Sequence, residues 1–463
     1  MKRTRALLSE LNASLRRSGS FVQNSAWMFA SSGISILIQF VFFTILARIY
    51  SPAVYGIFGV YNVYVSTLGN AATLGYNQAF VLPRSDREFS ALLRLTGWTA
   101  IILSVAVMAI SLIAGKYIIS SFGHDEIGNW VYLVAPGMLL LAMDRITADW
   151  AIRNKEFRKQ TLWSISTTLM VKSFNVWYGA FISATTAGLV YTTLLQHVLR
   201  VVFYSWFIIR DFGQKMKDRF EWKELKAVAR KYKEYPLYIY WGNVINIFSN
   251  NLPAAVLPAL GFGMNYVGYF TYSLIVLDLP IRMLGAGVSS VFLQKAAEIF
   301  DHRPEELPGH TWKLFKGIFW ISIAFSFLIF LSGEWVYVTL LDDKWREAGQ
   351  LAEILVLFYF FRMISSPISS LYNVLRKEKE FFMFQLLLTI CRFGALIGGS
   401  MYTSDFLMLM LIYSLVNAFI YLLFCIRIFQ MIHFRMSSVI AYTAGWVGII
   451  SILAILIKYY WIK

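Results

Sequence analysis

YSPAVYGIFGVY at Tyr50–Tyr61 returns as FGMNYVGYFTYS at Phe262–Ser273, 212 residues further along. Gly56 falls on Gly268 and Phe58 on Phe270; both segments follow one long apolar stretch and lead straight into another. A second anchor recurs: Lys155-Glu156-Phe157 reappears as Lys379-Glu380-Phe381, 224 residues on. The second half therefore carries about twelve more residues between the anchors, placed most simply around Asp301–His310. Equivalent anchors between spans imply a six-span unit used twice. Six is even, so the two units share one orientation and are related by an axis along the membrane normal. Parallel repeats of this kind occur in transporters, with the site at the repeat interface near the midplane.

Composition supports the membrane reading. The 463 residues are 58% hydrophobic and 15% charged, against about 25% charged in an average soluble domain. Apolar stretches near the roughly 20 residues needed to cross a bilayer recur along the chain. They place spans at 22–47, 56–82, 92–115, 129–151, 161–184, 187–209, 237–260, 267–294, 313–333, 349–374, 381–402, 405–427 and 437–458. These segments are too long for strands and lack their alternation.

The net charge of +16 is mostly topology. Basic residues gather in alternate loops: Lys2 to Arg17, Arg84 to Arg94, Arg153 to Lys159, Lys215 to Lys233, Arg376 to Lys379, and Arg427 with Arg435. That positive-inside pattern puts the N-terminus in the cytoplasm. No short apolar core with a cleavage site follows the basic start, so the first span reads as a retained helix. Cys391 and Cys425 both fall within spans and suggest neither a disulfide framework nor metal or redox chemistry. Trp98, Trp130, Trp150, Trp312, Trp335 and Trp345 lie near span ends, as an interfacial belt requires.

Removing the loop charge leaves a remainder. Lys172, Arg200, Arg282, Arg362 and Arg392 sit near mid-depth of five spans, and Arg145 about two turns in from a cytoplasmic end. A cation at a helix centre costs about 2.5–3.5 kcal/mol on insertion scales, so such residues face a bundle interior or a wet cavity and mark a substrate path. Asp144, Asp149 and Asp278 are available as partners, with Asp278 and Arg282 at the i, i+4 spacing of a helical pair. Three carboxylates cannot neutralise six cations, so a positive surplus remains for an anionic ligand. Arginine suits bidentate phosphate binding and lysine acts as a point charge. Asp144, Asp149, Asp278 and His197 are also the candidates for carrying a coupling ion. Ser32, Ser35 and Gln39 in the first span superimpose on Asn243, Asn246 and Asn250 in the seventh with a shift of 211 residues. The i, i+3, i+7 spacing puts each set on one helical face. Such a face either packs helices together or offers hydrogen bonds to a sugar; Ser35, Gln39, Asn243, Asn246 and Asn250 are the sugar-binding candidates. Pro136, Pro253, Pro258, Pro280 and Pro367 predict kinks.

Leu46-Ala47-Arg48, Tyr50-Ser51-Pro52 and then Tyr55-Gly56 opening the second span resemble the N-terminal signature of bacterial polysaccharide and O-antigen (Wzx-type) flippases. That family belongs to the multidrug/oligosaccharidyl-lipid/polysaccharide (MOP) superfamily. The motif covers about fifteen residues; the two-lobe plan and the basic loop at Arg153–Lys159 extend the resemblance to the whole chain. It implies an all-α integral membrane fold of two parallel six-helix, MATE-like lobes around a central cavity, to which the spans read from the sequence add one extra C-terminal helix, about 13 spans in all. Its parts are a cytoplasmic segment 1–21, an N-lobe 22–209, a basic linker 210–236, a C-lobe 237–430 and the extra span 431–463. The extra span departs from the commoner twelve. The resemblance further implies movement of an undecaprenyl-pyrophosphate-linked oligosaccharide from the cytoplasmic to the periplasmic leaflet of the bacterial inner membrane, through a cationic cavity and without a cofactor. Membrane lipids and the polymerase and ligase machinery are the further partners expected, and nucleic acid is not.

Three alternatives are weighed. A MATE-type multidrug antiporter needs buried carboxylates for cationic drugs, yet cations outnumber acids in these spans. A membrane glycan polymerase or glycosyltransferase needs acid/base residues in a sizeable extramembrane loop, whereas the longest external loop, about 334–348, is short and offers few acids, Glu334, Asp342 and Asp343 with Glu347. A lipid II flippase shares the fold, with no motif favouring it. The expectation is a transporter, not an enzyme.

Overall fold

In a computed structural model the described residues, 33, 37–212, 222–284 and 288–461, are helical with short turns. The helices are α1 Leu37–Ile49, α2 Pro52–Ala72, α3 Asp86–Ser121, α4 Val134–Arg153, α5 Phe157–Phe181, α6 Thr186–Phe212 and the short α7 Trp222–Lys231. They continue as α8 Tyr240–Asn250, α9 Leu252–Val256, α10 Met264–Leu284, α11 Ser290–His302, α12 Leu307–Leu340, α13 Arg346–Ile368, α14 Leu371–Val374, α15 Glu378–Tyr402, α16 Phe406–Met431 and α17 Met436–Trp461. Among the described residues eight helices are long and apolar enough to cross a membrane, where thirteen spans are expected from the sequence. The protein is a multi-pass integral membrane protein. The first expected span, 22–47, falls in large part outside the described residues, and the eighth, 267–294, crosses residues 285–287, which also lie outside them. The seventh is broken into α8, α9 and a short 3-10 turn at Pro258–Leu260, where Pro253 and Pro258 remove backbone donors.

Local chemistry explains the helix starts. Ser51 precedes α2 and its Oγ accepts from the Val54 amide at 3.4 Å, while Pro52 takes the first helical position, where a missing N–H costs nothing. Ser85 caps α3 by accepting from the Glu88 amide, with Asp86 and Glu88 in the first turn. Asp405 caps α16, accepting from the Met408 amide at 2.7 Å. Pro136 falls in the first turn of α4, where the amide has no helical acceptor; it starts that helix instead of kinking it.

The chain forms two compact units. One holds Tyr61–Ile247 with the described residues before Ser51; the other holds Ser51–Val60 and Phe248–Lys463. In the first unit α3, α4 and α6 pack around Phe80, Phe89, Leu92, Met138 and Trp150. The linker helix α7 sets Leu225 and Val228 against α3, and Tyr232 donates to Glu88 Oε1 at 2.8 Å. Burial first, then that hydrogen bond, pushes the Tyr232 hydroxyl up to about 12. In the second unit α13 is the centre, packed against α10, α12 and α16. Trp345 is fully buried there and stacks on Tyr272 at 4.0 Å. Trp345 and Trp150 thus belong to the cores, not to an interfacial belt; Trp98 and Trp335 are exposed as that belt requires. Ile113, Phe181 and Met401 stand out from their helices, the pattern of a surface solvated by hydrocarbon.

The repeat is visible in backbone detail, with one correction. After α4 the amides of Lys155 and Glu156 bond to the carbonyls of Ile152 and Ala151; after α14 those of Arg376 and Lys377 bond to Asn373 and Tyr372. Lys155 and Arg376 both take the left-handed conformation, at φ 57 and 54. Every partner in this C-terminal motif is displaced by 221 residues, so the Lys-Glu-Phe match at 224 lies one turn out of structural register. The second half gained nearer nine residues than twelve.

Candidate functional site

The first unit gathers its charges on α4, α5 and α6. Asp144 Oδ2 lies 2.9 Å from His197 Nδ1 and 3.5 Å from an Arg200 guanidinium nitrogen. His197 and Arg200 reach the same carboxylate because three residues on α6 is nearly one turn. Arg200 also donates to Ser164 Oγ on α5 at 3.4 Å, while its Nε is buried without an acceptor. Asp149 accepts from Asn77 at 2.6 Å, and Asn77 accepts from Thr73 at 2.7 Å. Arg145 is exposed, within electrostatic reach of Asp149 and Asp144. Lys172 is half-buried on α5, and among the described residues it has no ion-pair or hydrogen-bond partner. One turn on, Asn175 accepts from the buried Tyr50 hydroxyl at 2.8 Å. Tyr50 thereby ties the start of the Tyr-Ser-Pro signature to α5.

The second unit arranges its charges differently. Asp278 on α10 accepts from Arg362 on α13 at 3.0 Å and from the Tyr359 hydroxyl at 2.9 Å. The expected helical pair of Asp278 with Arg282 is therefore replaced by an interhelical one. Arg282 is exposed near the end of α10 and has no ion-pair or hydrogen-bond partner among the described residues. Arg362 lies 4.9 Å from the Tyr359 ring centre.

Arg392 is 2% exposed and enclosed by neutral acceptors. Its Nε donates to Asn417 Oδ1 at 2.6 Å, one terminal nitrogen to Ser249 Oγ at 2.8 Å and Asn250 Oδ1 at 3.1 Å, the other to the Tyr421 hydroxyl at 3.3 Å. The guanidinium spans α8, α15 and α16 at the point where α8 ends. Four of its five donors are engaged, so in this structure Arg392 braces the unit and presents no free fork to a ligand. Asn250, a sugar candidate, spends its side-chain oxygen on the same brace. Asn243 is exposed, and Asn246 and Gln39 are half-buried. Ser35 and Ser32 lie outside the described residues.

Sequence reasoning missed a further pair. Glu353, buried on α13, accepts from the Glu334 amide at 2.8 Å and from Lys458 on α17. A lone acid one turn beyond the start of the tenth span, and a lone lysine at the end of the last, were the available signals. Asn417, a lone amide in the apolar run of α16, likewise marked the partner of a buried cation.

The six cations of the spans thus sort into three kinds. Arg145, Arg200 and Arg362 have acids nearby, Arg392 is caged by neutral groups, and Lys172 and Arg282 keep their charge unengaged.

Comparison with known proteins gives the family and the fold. The family model for "Polysaccharide biosynthesis protein" matches residues 45–350. Among solved structures, an inward-facing multidrug resistance MATE family transporter of the MOP superfamily aligns with TM-score 0.67 and 15% identity, over 88% of this chain and 98% of that one. The lipid II flippase MurJ, in an inward closed conformation, aligns with TM-score 0.67 and 16% identity, over 95% of this chain and 97% of that one. At such identities these likenesses show the fold alone. The curated proteins include no match.

Proposed function

The chain belongs to the polysaccharide biosynthesis protein family, with a MOP-superfamily transporter fold, and from that premise we propose that it flips a lipid-linked glycan. The cargo in this reading is a polyprenyl-pyrophosphate-linked oligosaccharide, carried from the cytoplasmic to the outer leaflet of the bacterial inner membrane. The observation that carries it is the charge inventory. Asp144, Asp149, Asp278 and Glu353 each hold a hydrogen-bond partner, whereas Lys172 and Arg282 hold none among the described residues. The free charge in the spans is positive, and positive charge inside a membrane is retained where an anion is handled.

The same inventory weighs against a cation-exporting antiporter, whose cargo needs an unengaged carboxylate. The lipid II flippase supports the reading from another side, since a lipid flippase has this fold. Lys172 in the first unit and Arg282 in the second are, each by itself, candidates to attract an anionic headgroup. Asn243 and Gln39 are the amides proposed to contact sugar.

Complementation tests the proposal. In a deletion strain, Lys172→Ala with Arg282→Ala should abolish surface polysaccharide at wild-type protein level, and Lys172→Arg with Arg282→Lys should keep most of it. Normal export by the double alanine variant defeats the reading.

A further inference from the structure

Within the second unit, α12, α13, α16 and α17 enclose a cavity of about 380 Å³. Its lining side chains, among them Phe327, Phe330, Phe360, Phe361 and Leu415, are apolar except for Ser326 and Ser451. A buried water needs two to four polar partners and takes about 30 Å³, so the dozen or so waters that would fill this volume could not be satisfied. Hydrocarbon fills it without that penalty. The opening is lateral: Leu415 on α16 is 53% exposed and Ser451 on α17 is exposed. In a membrane-spanning protein such an opening meets lipid chains.

Two features identify the lipid. First, α13 separates the cavity from the charged cluster, since Phe360 and Phe361 line the cavity while Arg362 turns to Asp278 on α10. A lipid chain seated here does not deliver its headgroup to Arg362. Second, an ion pair lies behind the end of the cavity lined by Phe330 and Ala454. Lys458, one turn beyond Ala454, pairs with Glu353, bonds the Phe330 carbonyl at 3.4 Å and lies 5.1 Å from the Phe330 ring centre. The charge beside that end is therefore balanced, one ammonium against one carboxylate. A pyrophosphate would bring several negative charges to a lysine already neutralised. A zwitterionic headgroup matches the pair, its phosphate toward Lys458 and its amine toward Glu353.

We infer that this cavity is a resident-lipid site holding one acyl chain of a zwitterionic glycerophospholipid between α17 and the rest of the second unit. The site is distinct from the transport path proposed above and does not depend on it. From Val447 to Ala454 the wall rises about 10 Å, room for part of one chain.

Native mass spectrometry of the full chain, purified in mild detergent and offered phosphatidylethanolamine, phosphatidylglycerol and undecaprenyl phosphate in competition, tests the inference. Wild type should retain one phosphatidylethanolamine, and that lipid should raise its melting temperature. Ala418→Phe and Ala454→Phe fill the cavity and should lose both the adduct and the thermal response; Ala418→Leu is the gentler filling should the larger side chain prevent folding. Preference for undecaprenyl phosphate or phosphatidylglycerol, no retained lipid in wild type, or unchanged retention in folded filled variants would each overturn it. Export by the Lys172 and Arg282 variants is a separate readout, so failure of one idea leaves the other standing.

Discussion

Gly56 and Gly268 make reciprocal backbone contacts: a Cβ on Gly56 would stand 1.9 Å from the Met264 carbonyl oxygen, and one on Gly268 would stand 1.9 Å from that of Pro52. Pro52 and Met264 carry the same 212-residue offset as the glycines themselves. The α2 and α10 helices therefore cross at equivalent points of the two repeats, so closely that neither crossing residue can carry a side chain.

Gly56→Ala and Gly268→Ala should each destabilise the protein by about 1–3 kcal/mol or more, the range for overpacking. Gly59→Ala is the milder comparison, because its Cβ would meet the Thr271 side chain, which can turn away, and not backbone. Thermal unfolding in detergent measures all three. Equal melting temperatures across the set would contradict the close crossing.

Arg392→Lys should destabilise the fold, where the same change at a ligand-binding arginine would leave stability intact and impair only export. An ammonium cannot hold Asn417, Ser249, Asn250 and Tyr421 in one planar fork, and acceptors left unmatched cost about 1–3 kcal/mol each. The expected result is a lower melting temperature in both Arg392→Lys and Arg392→Ala, before any transport is assayed. A fully stable Arg392→Lys with impaired export would return Arg392 to the ligand.

Asp278 and Arg362 should be energetically coupled. In a double-mutant cycle with Asp278→Ala and Arg362→Ala, contacting charges of this kind show about 0.5–3 kcal/mol of interaction. Arg282→Ala combined with Asp278→Ala should be additive, because Arg282 does not engage Asp278. Coupling in the second cycle and none in the first would restore the helical pair that the spacing predicts.

Tyr232 should titrate late. Its hydroxyl ionises at about 12 in the fold and near 10 when unfolded. The raised value favours the protonated, folded form. The stability it contributes is present in full below pH 10 and is lost as pH rises through 12. The tyrosinate absorbance difference between wild type and Tyr232→Phe should rise near pH 12; a rise near pH 10 would show that the linker contact with Glu88 is not kept.

Lys458→Ala should loosen α17 by taking a hydrogen-bond partner from the buried Glu353 side chain, at about 1–3 kcal/mol, the Lys458 side chain itself being 39% exposed. Glu353→Gln in the same chain should recover part of that loss. Hydrogen exchange of α17 reads both variants, and the absence of any recovery would mean that Lys458 acts through its Phe330 contacts alone.

Much of the architecture was legible in the chain because it depends on local pattern. Apolar length, the alternation of basic loops and the two glycine segments do not require knowing what lies beside them. The same holds for Ser51-Pro52, which starts a helix by its own chemistry. The later repeat anchor shows the limit. Three matching letters pointed to a displacement of 224, while the hydrogen bonds after α4 and α14 repeat at 221, because the backbone repeats and those side chains do not.

By itself the sequence determined the membrane class and pointed to a doubled plan and to charges within the helices, since each follows from composition and spacing along the chain. Only the tertiary structure decided which charges stay free. Asp278 looked to Arg282, four residues away, yet it is held by Arg362, 84 residues on. Arg392 takes acceptors 142 and 143 residues distant and others on α16. Charge pairing acts over a few ångströms between helices, and no spacing along the chain reports that distance. Lys172 and Arg282 emerge as the unengaged cations through what the neighbouring helices leave unpaired.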